Sequence, residues 1–233
     1  MARNRKWQKY ALEFLSIFIA VISAFALSNW NDNRKSNKSE EKILLEISNG
    51  LNRDLADFSV NMRGHRMSIR AVSVFRDLLN NKPVLQDSMA IHYITLFRDY
   101  PPIVNSSGYE SLKSSGIKTV TNDSLRFQIV ELYDHYYSII KLLENDVQEM
   151  QSYLNYFKPI NQAMSPYIQY DADGSLVSIE FPSGLSKNSR KEILSYLWRL
   201  ELNRRYKLKK YELVKGEINK VKVSIQQELQ ENF

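Results

Sequence analysis

The side chains that could carry acid–base or metal chemistry in this sequence are three histidines and a few isolated carboxylates. His65, His92 and His135 lie far apart, and none has a second histidine at the spacing that presents two imidazoles to one metal ion. Asp134 directly precedes His135, but consecutive helical residues point about 100° apart, so this pair is poorly placed to activate a serine. We predict neither a metal site nor a catalytic site at these positions.

Other common catalytic chemistries are missing from the sequence. It contains no cysteine, which excludes disulfides, thiolate-bound metals and a thiol nucleophile. Glycine-rich phosphate-binding patterns and the Gly-x-Ser-x-Gly nucleophile elbow are also absent from the sequence. We therefore predict a protein that is not an enzyme and holds no cofactor. The alternative is a hydrolase that uses carboxylates such as Glu110 or Asp123.

The densest local signal in the sequence is the segment from Tyr109 to Gly116, followed by Asn122 to Leu125. It predicts a short helix that ends at Gly116 in the left-handed conformation, and then the cap of the next helix. That structural role accounts for most of the pattern. The alternative is a recognition role for Tyr109, Glu110 and Lys113, because loops at the end of a helical bundle often carry function.

The N-terminal segment predicts one transmembrane helix over residues 10–30. Residues 10–27 are apolar with Glu13 as the one charge, and this length is at the short end of what crosses a bilayer. Trp7 and Tyr10 lie at one end and Trp30 at the other, where interfacial aromatic residues of a spanning helix fall. We predict a tail over residues 1–9 and a polar hinge over 31–39.

Cleavage and orientation are the two open points of this segment. A basic start followed by an apolar run that ends in Ala24-Phe25-Ala26 is also typical of a cleaved signal peptide. Four Lys or Arg residues precede the span and four follow it closely: Arg3, Arg5, Lys6 and Lys9, then Arg34, Lys35, Lys38 and Lys42. Because the first group is nearer the span and has no acids among it, we predict a cytoplasmic N-terminus and a main domain, residues 40–233, on the other side.

Glu13 is the one residue of the span whose insertion into the hydrocarbon region costs free energy, because it carries a charge. The simpler interpretation is that its side chain reaches the headgroups, since it lies about one turn from the end. The alternative is that Glu13, Ser16, Ala20 and Ala24 form a face of polar and small residues against which another helix packs. That face suggests a partner helix or self-association.

The composition beyond the span predicts an all-α, elongated antiparallel bundle. Only 7 Gly and 6 Pro interrupt the chain, and 43% of its residues are hydrophobic. Apolar spacing and capping residues predict four helices besides the short one that ends at Gly116, and a small β-hairpin or ordered loop near residues 168–181. The helices are placed from about residue 40 to 80, from Asp87 to Arg98, from the cap at 122–124 to Phe157, and from the capping box of Ser189 and Glu192 to about Glu228.

The last helix carries a seam and most of the positive charge. Tyr211, Val214, Ile218, Val221 and Ile225 have coiled-coil spacing, which predicts packing in the chain's own bundle or between subunits. Residues 190–222 contain 11 Lys or Arg against four Glu. This excess indicates a solvated face, or a contact with anionic lipids or an acidic partner. We expect no nucleic acid unless the domain is cytoplasmic.

The segments from Glu13 to Asn31 and from Tyr109 to Gly116, with Asn122 to Leu125, resemble a Bacteroidota family of single-span membrane proteins that is known only as a domain of unknown function. The resemblance implies an envelope protein of a Gram-negative bacterium, with the anchor in the inner membrane and the main domain in the periplasm. It implies no catalytic residue.

These features together predict a non-enzymatic scaffold or accessory subunit that contacts the lipid bilayer and a membrane-protein partner or a second copy. The alternative is a sensor or ligand-binding module. With about nine residues on the far side of the membrane, such a sensor would need a separate protein to carry its output.

Overall fold

The computed structural model describes residues 2–180 and 185–232, with side chains from residue 13 onward. The fold is all-α with one small hairpin, as predicted. Its helices in chain order are α1 (Ala2–Leu79), α2 (Met89–Phe97), α3 (Ser107–Ser115), α4 (Asp123–Glu131), α5 (Tyr137–Lys141), α6 (Lys158–Met164) and α7 (Lys187–Asn232). The two antiparallel strands are β1 (Ile168–Tyr170) and β2 (Leu176–Ile179), which pair Ile168 with Ile179.

Helix α1 runs without interruption through residues 31–39, so the predicted hinge is wrong as secondary structure. This segment contains neither Gly nor Pro. Because helix on both sides is already formed, extending it through nine polar residues needs no new nucleation. The 78 residues of α1 correspond to about 117 Å at 1.5 Å per residue.

Helices α1 and α7 lie antiparallel and form the spine of the bundle. The core near the apolar segment of α1 is formed by residues such as Leu44, Leu51 and Phe58, and a second, distal core by residues such as Phe75 and Leu197. The seam residues Tyr211, Val214, Ile218, Val221 and Ile225 are all at most 3% exposed in the first core. Of the two interpretations of the seam, the structure therefore shows packing within the chain, and the seam is not available to another subunit.

The predicted helix from Leu125 to Phe157 is broken into several pieces. Asn122 caps α4 as predicted, with its Oδ1 accepting from the backbone N–H of Leu125 at 3.1 Å. A π-helical turn then covers Leu132–Tyr136, and its extra residue rotates the following helix so that Tyr137 and Ile140 are buried instead of the predicted Tyr136 and Ile139. Further π-helical turns at Leu142–Asp146 and Tyr153–Phe157 flank a break near Val147.

Three predicted helix boundaries also differ from the structure. Asp87 lies in a 3₁₀ turn before α2, and Ser88 occupies the cap position. Pro159 lies in the first turn of α6 instead of ending a helix, because the first turn does not need the missing N–H. The Ser186 hydroxyl accepts from the Ser189 N–H at 3.0 Å, so α7 starts one turn before the predicted capping box. Residue 181, the end of the predicted hairpin segment, lies outside the described residues.

Gly108 sets how closely α3 approaches α1. A Cβ at Gly108 would lie 2.6 Å from the Ile47 N and 2.9 Å from the Glu46 carbonyl carbon, both backbone atoms of α1. We expect Gly108→Ala to lower the free energy of unfolding by about 1–3 kcal/mol, because α3 must move away. Gly216→Ala is the matched control, since the same added atom meets nothing within 4 Å in the described chain, and it should stabilise α7 by up to about 1 kcal/mol. Urea titrations of the full chain in detergent, followed by circular dichroism, measure the change in unfolding free energy for both variants. Changes of the same sign in the two variants would contradict the close contact between α3 and α1.

Candidate functional site

A concave surface, here called the Tyr109 groove, lies between α3, the loop before it and the segment from Tyr133 to Asn145. Its volume is about 390 Å³. The lining residues include all three predicted recognition residues, Tyr109, Glu110 and Lys113, together with Pro102, Val104, Ser106, Tyr133, Asp134, Tyr137, Ser138, Lys141 and Asn145. The structure therefore brings the predicted residues together with a second set that the sequence analysis did not connect to them.

Aromatic stacking fixes one wall of the groove. The Tyr109 and Tyr133 rings stack with centroids 4.4 Å apart and an angle of 7° between their planes. The Lys113 ammonium lies 4.9 Å from the centre of the Tyr109 ring and 2.7 Å from the Glu110 carboxylate. Burial, together with a hydrogen bond to Asp134, raises the pKa of Tyr109 to about 12. The hydroxyl is therefore neutral and donates to Asp134, so Tyr109 offers a ligand the face of its ring and not a free donor.

Asp54 of α1 holds the floor of the groove in place. Its side chain is fully buried, and its Oδ1 accepts from the Asn105 N–H at 2.8 Å and from the Asn105 side-chain amide at 2.6 Å. Its Oδ2 accepts from the Tyr137 hydroxyl at 2.5 Å. Burial raises the pKa of Asp54, and these hydrogen bonds oppose that rise. Because the loop and α5 are bonded to the same carboxylate, the groove is preformed.

The carboxylates considered for hydrolysis are held in ion pairs. Glu110 pairs with Lys113 inside the groove, and Asp123 pairs with Arg126 in the first turn of α4 and does not line the groove. Ser138, the serine nearest to Asp134 in sequence, donates to the backbone oxygen of Asp134 at 2.9 Å. The groove has the features of a recognition surface, with a stacked aromatic wall and charges of both signs at its rim.

A buried ionic cluster, here called the polar junction, lies between the two cores and was not predicted. Glu144 accepts from Lys207 Nζ at 2.6 Å and is 2.9 Å from His65 Nε2. Arg204 Nη1 lies 3.1 Å from His65 Nδ1, and its Nη2 donates to the Arg98 carbonyl at 2.6 Å. The side chains of His65, Glu144, Arg204 and Lys207 are at most 1% exposed.

The proton position in the polar junction follows from Arg204. A guanidinium is always a donor, so His65 Nδ1 must accept and Nε2 must carry the hydrogen that it donates to Glu144. Burial lowers the pKa of His65, so the imidazole is neutral. Burial alone would raise the pKa of Glu144, but the hydrogen bond from His65 and the charge of Lys207 together lower it. Glu144 is thus an anion between a neutral imidazole and a buried ammonium.

One sequence signal could have located this junction. His65 occupies the buried face of α1 between Met62 and Val72, and Arg204 and Lys207 occupy the buried face of α7 between Leu200 and Tyr211. Basic residues at apolar positions of a helical repeat need a buried counter-charge. In the sequence analysis, Arg204 and Lys207 were counted only as part of a basic excess, and His65 was considered only as a candidate metal or catalytic residue.

The predicted membrane face is exposed in the described structure. Glu13, Ser16, Ala20 and Ala24 lie on the surface of α1, and the Ser16 hydroxyl donates to the Glu13 carbonyl at 2.8 Å. Trp30 is 61% exposed and lies 5.7 Å from the Arg34 guanidinium. The side chains of Trp7 and Tyr10 lie outside the described part. From Glu13, α1 contains a window with mean hydropathy 1.6 and no buried residue, long and apolar enough to cross a membrane.

Comparison with known protein families gives one match, a model of a family of unknown function that covers residues 13–160. The chain belongs to DUF6090. No curated protein and no solved structure matches it. The resemblance to a family of unknown function is thereby confirmed. The DUF6090 match includes the apolar segment, the whole Tyr109 groove and two members of the polar junction, His65 and Glu144. It ends before α7, so Arg204 and Lys207 lie outside it.

The neutral state of His65 predicts how the stability of this DUF6090 chain depends on pH. The unfolded chain binds a proton at His65 near the ordinary pKa of 6.5, and the folded chain binds it only at a lower pH. The contribution of neutral His65 to the free energy of unfolding is therefore complete above pH 6.5 and is lost as the pH falls below this value. We expect the free energy of unfolding to decrease by up to about 1.4 kcal/mol per pH unit below this value.

His65→Gln isolates this contribution, because glutamine keeps one donor and one acceptor without titrating. The difference in unfolding free energy between the unmodified chain and His65→Gln should grow in favour of the unmodified chain from pH 5.5 to 7.5, measured by urea titration. His135→Gln, at an exposed position, is the control and should change nothing over this interval. A difference that does not vary with pH would contradict the neutral imidazole.

Proposed function

We propose that this protein is a non-enzymatic, single-pass membrane protein that acts as a scaffold or accessory subunit of an envelope complex. It holds no cofactor. Its anchor lies in the inner membrane of a bacterium of the Bacteroidota, with the N-terminus in the cytoplasm and the main domain in the periplasm. The observation that carries the proposal is the continuity of α1, which joins an exposed apolar segment to the core of the bundle in one helix.

The dimensions of α1 support this role. Residues 13–30 span about 27 Å, close to the thickness of a bilayer's hydrocarbon region. Residues 31–39 add about 14 Å of helix before Glu40, the first buried residue among the described side chains of α1. A scaffold built this way holds its bundle at a fixed distance and orientation from the membrane, because one helix lacks the joint that a flexible linker would provide.

The second support is the membrane face. The Ser16 hydroxyl is satisfied by its own helix, which leaves the Glu13 carboxylate as the polar group of this face that seeks a partner. With Ala20 and Ala24 on the same side, another helix could approach closely and bond to Glu13. The partner is either a membrane helix of the complex or a second copy.

The test is purification of the C-terminally tagged protein from native membranes in mild detergent, followed by native mass spectrometry. We expect a stoichiometric second protein or a homo-oligomer, and a purely monomeric protein would overturn the proposal. Ala20→Leu should release the partner by blocking close approach, whereas Val21→Leu, on a neighbouring face, should retain it. Orientation is tested separately by a membrane-impermeant maleimide on single cysteines at Asn4 and at Ser36, since the chain has no cysteine of its own.

The Tyr109 groove favours a second candidate function, a ligand-binding module that works through a separate partner. A preformed cavity of about 390 Å³ with stacked rings and rim charges is suited to a small polar ligand. A search of a metabolite library by ligand-observed NMR tests it. Binding that is lost in Tyr109→Ala would favour this candidate, and the lack of any such binder would remove its support.

A further inference from the structure

The side of α7 that faces away from the core carries a second row of apolar residues. Trp198 is 59% exposed, Leu202, Tyr206 and Leu213 are each 44% exposed, and Val223 is 52% exposed. Side chains this apolar usually turn inward, and here they share one side of one helix. We call the line formed by residues 198, 202, 206, 209, 213, 216, 220 and 223 the α7 outer face.

The spacing along the α7 outer face is that of a coiled-coil seam. Its members follow each other by steps of three and four residues, so they form one stripe on the side of the helix opposite Leu200, Tyr211 and Ile218. Gly216 leaves a gap in the stripe, where an added Cβ would meet no atom of the described chain within 4 Å. An open groove of about 620 Å³ lies beside it. The stripe is shaped to accept a second helix.

The α7 outer face is positively charged. Lys209 and Lys220 lie within the stripe, and Lys191 and Arg205 lie at its margins. Three acidic residues lie to the sides of this stretch of α7 and are paired: Glu201 with Arg76 and Arg205, Glu212 with Arg66, and Glu217 with Lys220. Within the described chain, this leaves the Lys209 ammonium of the stripe without an acidic partner. A helix that docks here is therefore favoured if it presents acidic residues.

Two other occupants fit less well. Two copies anchored in one membrane have parallel α7 helices, and in a parallel pair each seam residue faces its own copy. Lys209 would then meet Lys209, and Lys220 would meet Lys220. A lipid surface fits poorly, because α7 packs lengthwise along the part of α1 that lies beyond the span. A bilayer could therefore touch only one end of the α7 outer face.

We propose that the α7 outer face binds an acidic amphipathic helix of a partner protein. This inference rests on the proposed function, because it identifies the surface with which an accessory subunit would contact its complex outside the bilayer. The apolar positions of the partner helix pack on Trp198, Leu202 and Leu213. Its carboxylates lie against Lys209 and Lys220.

The test uses two synthetic helical peptides of about four heptads with Leu at the seam positions, one with Glu and one with Lys at the flanking positions. Fluorescence anisotropy measures their binding to the full chain in a neutral detergent. We expect the acidic peptide to bind at least tenfold more tightly than the basic peptide, with an affinity that falls as salt is added. Equal affinities for the two peptides would overturn the proposal.

Paired variants assign the binding to this face. Lys209→Glu with Lys220→Glu should weaken the acidic peptide at least tenfold, and Leu202→Asp with Leu213→Asp should abolish its binding. Lys118→Glu with Lys158→Glu is the control, because it makes the same change of charge at two exposed positions outside the α7 outer face and should leave binding unchanged. A loss of binding in the control equal to that in Lys209→Glu with Lys220→Glu would overturn the assignment.

A cross-link tests the second copy directly. Leu213→Cys in native membranes should give no disulfide-linked dimer under mild oxidation, and efficient dimer formation would overturn the proposal. The peptide assay measures binding to the α7 outer face alone, whereas native mass spectrometry measures which proteins are bound to the chain in native membranes. If the peptide binds but the protein from native membranes is monomeric, the proposed function is rejected and the binding role of the α7 outer face stands. If a stoichiometric partner is found but the peptide does not bind, the proposed function stands and the binding role of the α7 outer face is rejected.

Discussion

Replacing Lys207 with methionine should lower the free energy of unfolding by about 3–5 kcal/mol, because it leaves a buried carboxylate without its counter-charge. Glu144 and Lys207 are at most 1% exposed and their charged atoms lie 2.6 Å apart. Methionine has a similar shape, so lost packing contributes little. Thermal unfolding of the full chain in detergent, followed by circular dichroism, measures the change. Lys209→Met, two residues away on the exposed side of α7, should change the free energy by no more than about 0.5 kcal/mol.

A double variant separates the charge from the packing. Glu144→Leu with Lys207→Met removes both charges and should destabilise the chain by less than the sum of the two single variants, because each single variant leaves one buried charge unpaired. The remaining cost reflects His65, whose Nε2 hydrogen loses its acceptor. Strict additivity in this cycle, or an effect of Lys207→Met below about 1 kcal/mol, would contradict a charged polar junction.

The junction also shows where sequence reasoning stops. Apolar spacing located α1, α7 and the hairpin, because burial of one helical face is a local signal. Glu144 gave no such signal, because it is polar and because its burial depends on the π-helical turns at Leu132–Tyr136 and Leu142–Asp146, which change the helical register of the side chains near them. The ion pair between Glu144 and Lys207 joins residues 63 positions apart. It depends on this change of helical register, which the spacing of residues within one helix does not encode.

The continuity of α1 has a related explanation. Residues 31–39 are polar all round and were therefore predicted to form a hinge, since an isolated segment of that kind would not hold a helix. Flanked by an apolar helix and by the bundle, it continues the helical hydrogen bonds from both ends. In the Tyr109 groove, by contrast, Tyr109, Glu110 and Lys113 were found from the sequence because they lie within two turns of one helix. Their neighbours Tyr133 and Asp134 come from a distant segment that folding brings alongside.

Placing two lysines in the apolar segment should prevent membrane insertion. A lysine at the centre of a spanning helix costs about 3 kcal/mol, so Phe18→Lys with Ile22→Lys should disfavour insertion by about 6 kcal/mol or more. Phe18 and Ile22 lie on the side of α1 away from Glu13, Ala20 and Ala24, so a partner helix on that face could not shelter the charges. The readout is the share of the protein that stays in the membrane pellet after carbonate extraction.

The matched control places the same charges just outside the span. Asn31→Lys with Asn33→Lys should remain in the pellet, because both positions are exposed on the polar part of α1 and a lysine there stays in water. Retention of Phe18→Lys with Ile22→Lys in the pellet would contradict the anchor.

Intact-mass analysis of the unmodified protein tests whether the N-terminal segment is cleaved. Loss of residues 1–26 would identify the segment as a cleaved signal peptide. In that case the bundle would be released from the membrane, and the continuous helix could not fix its distance from the bilayer.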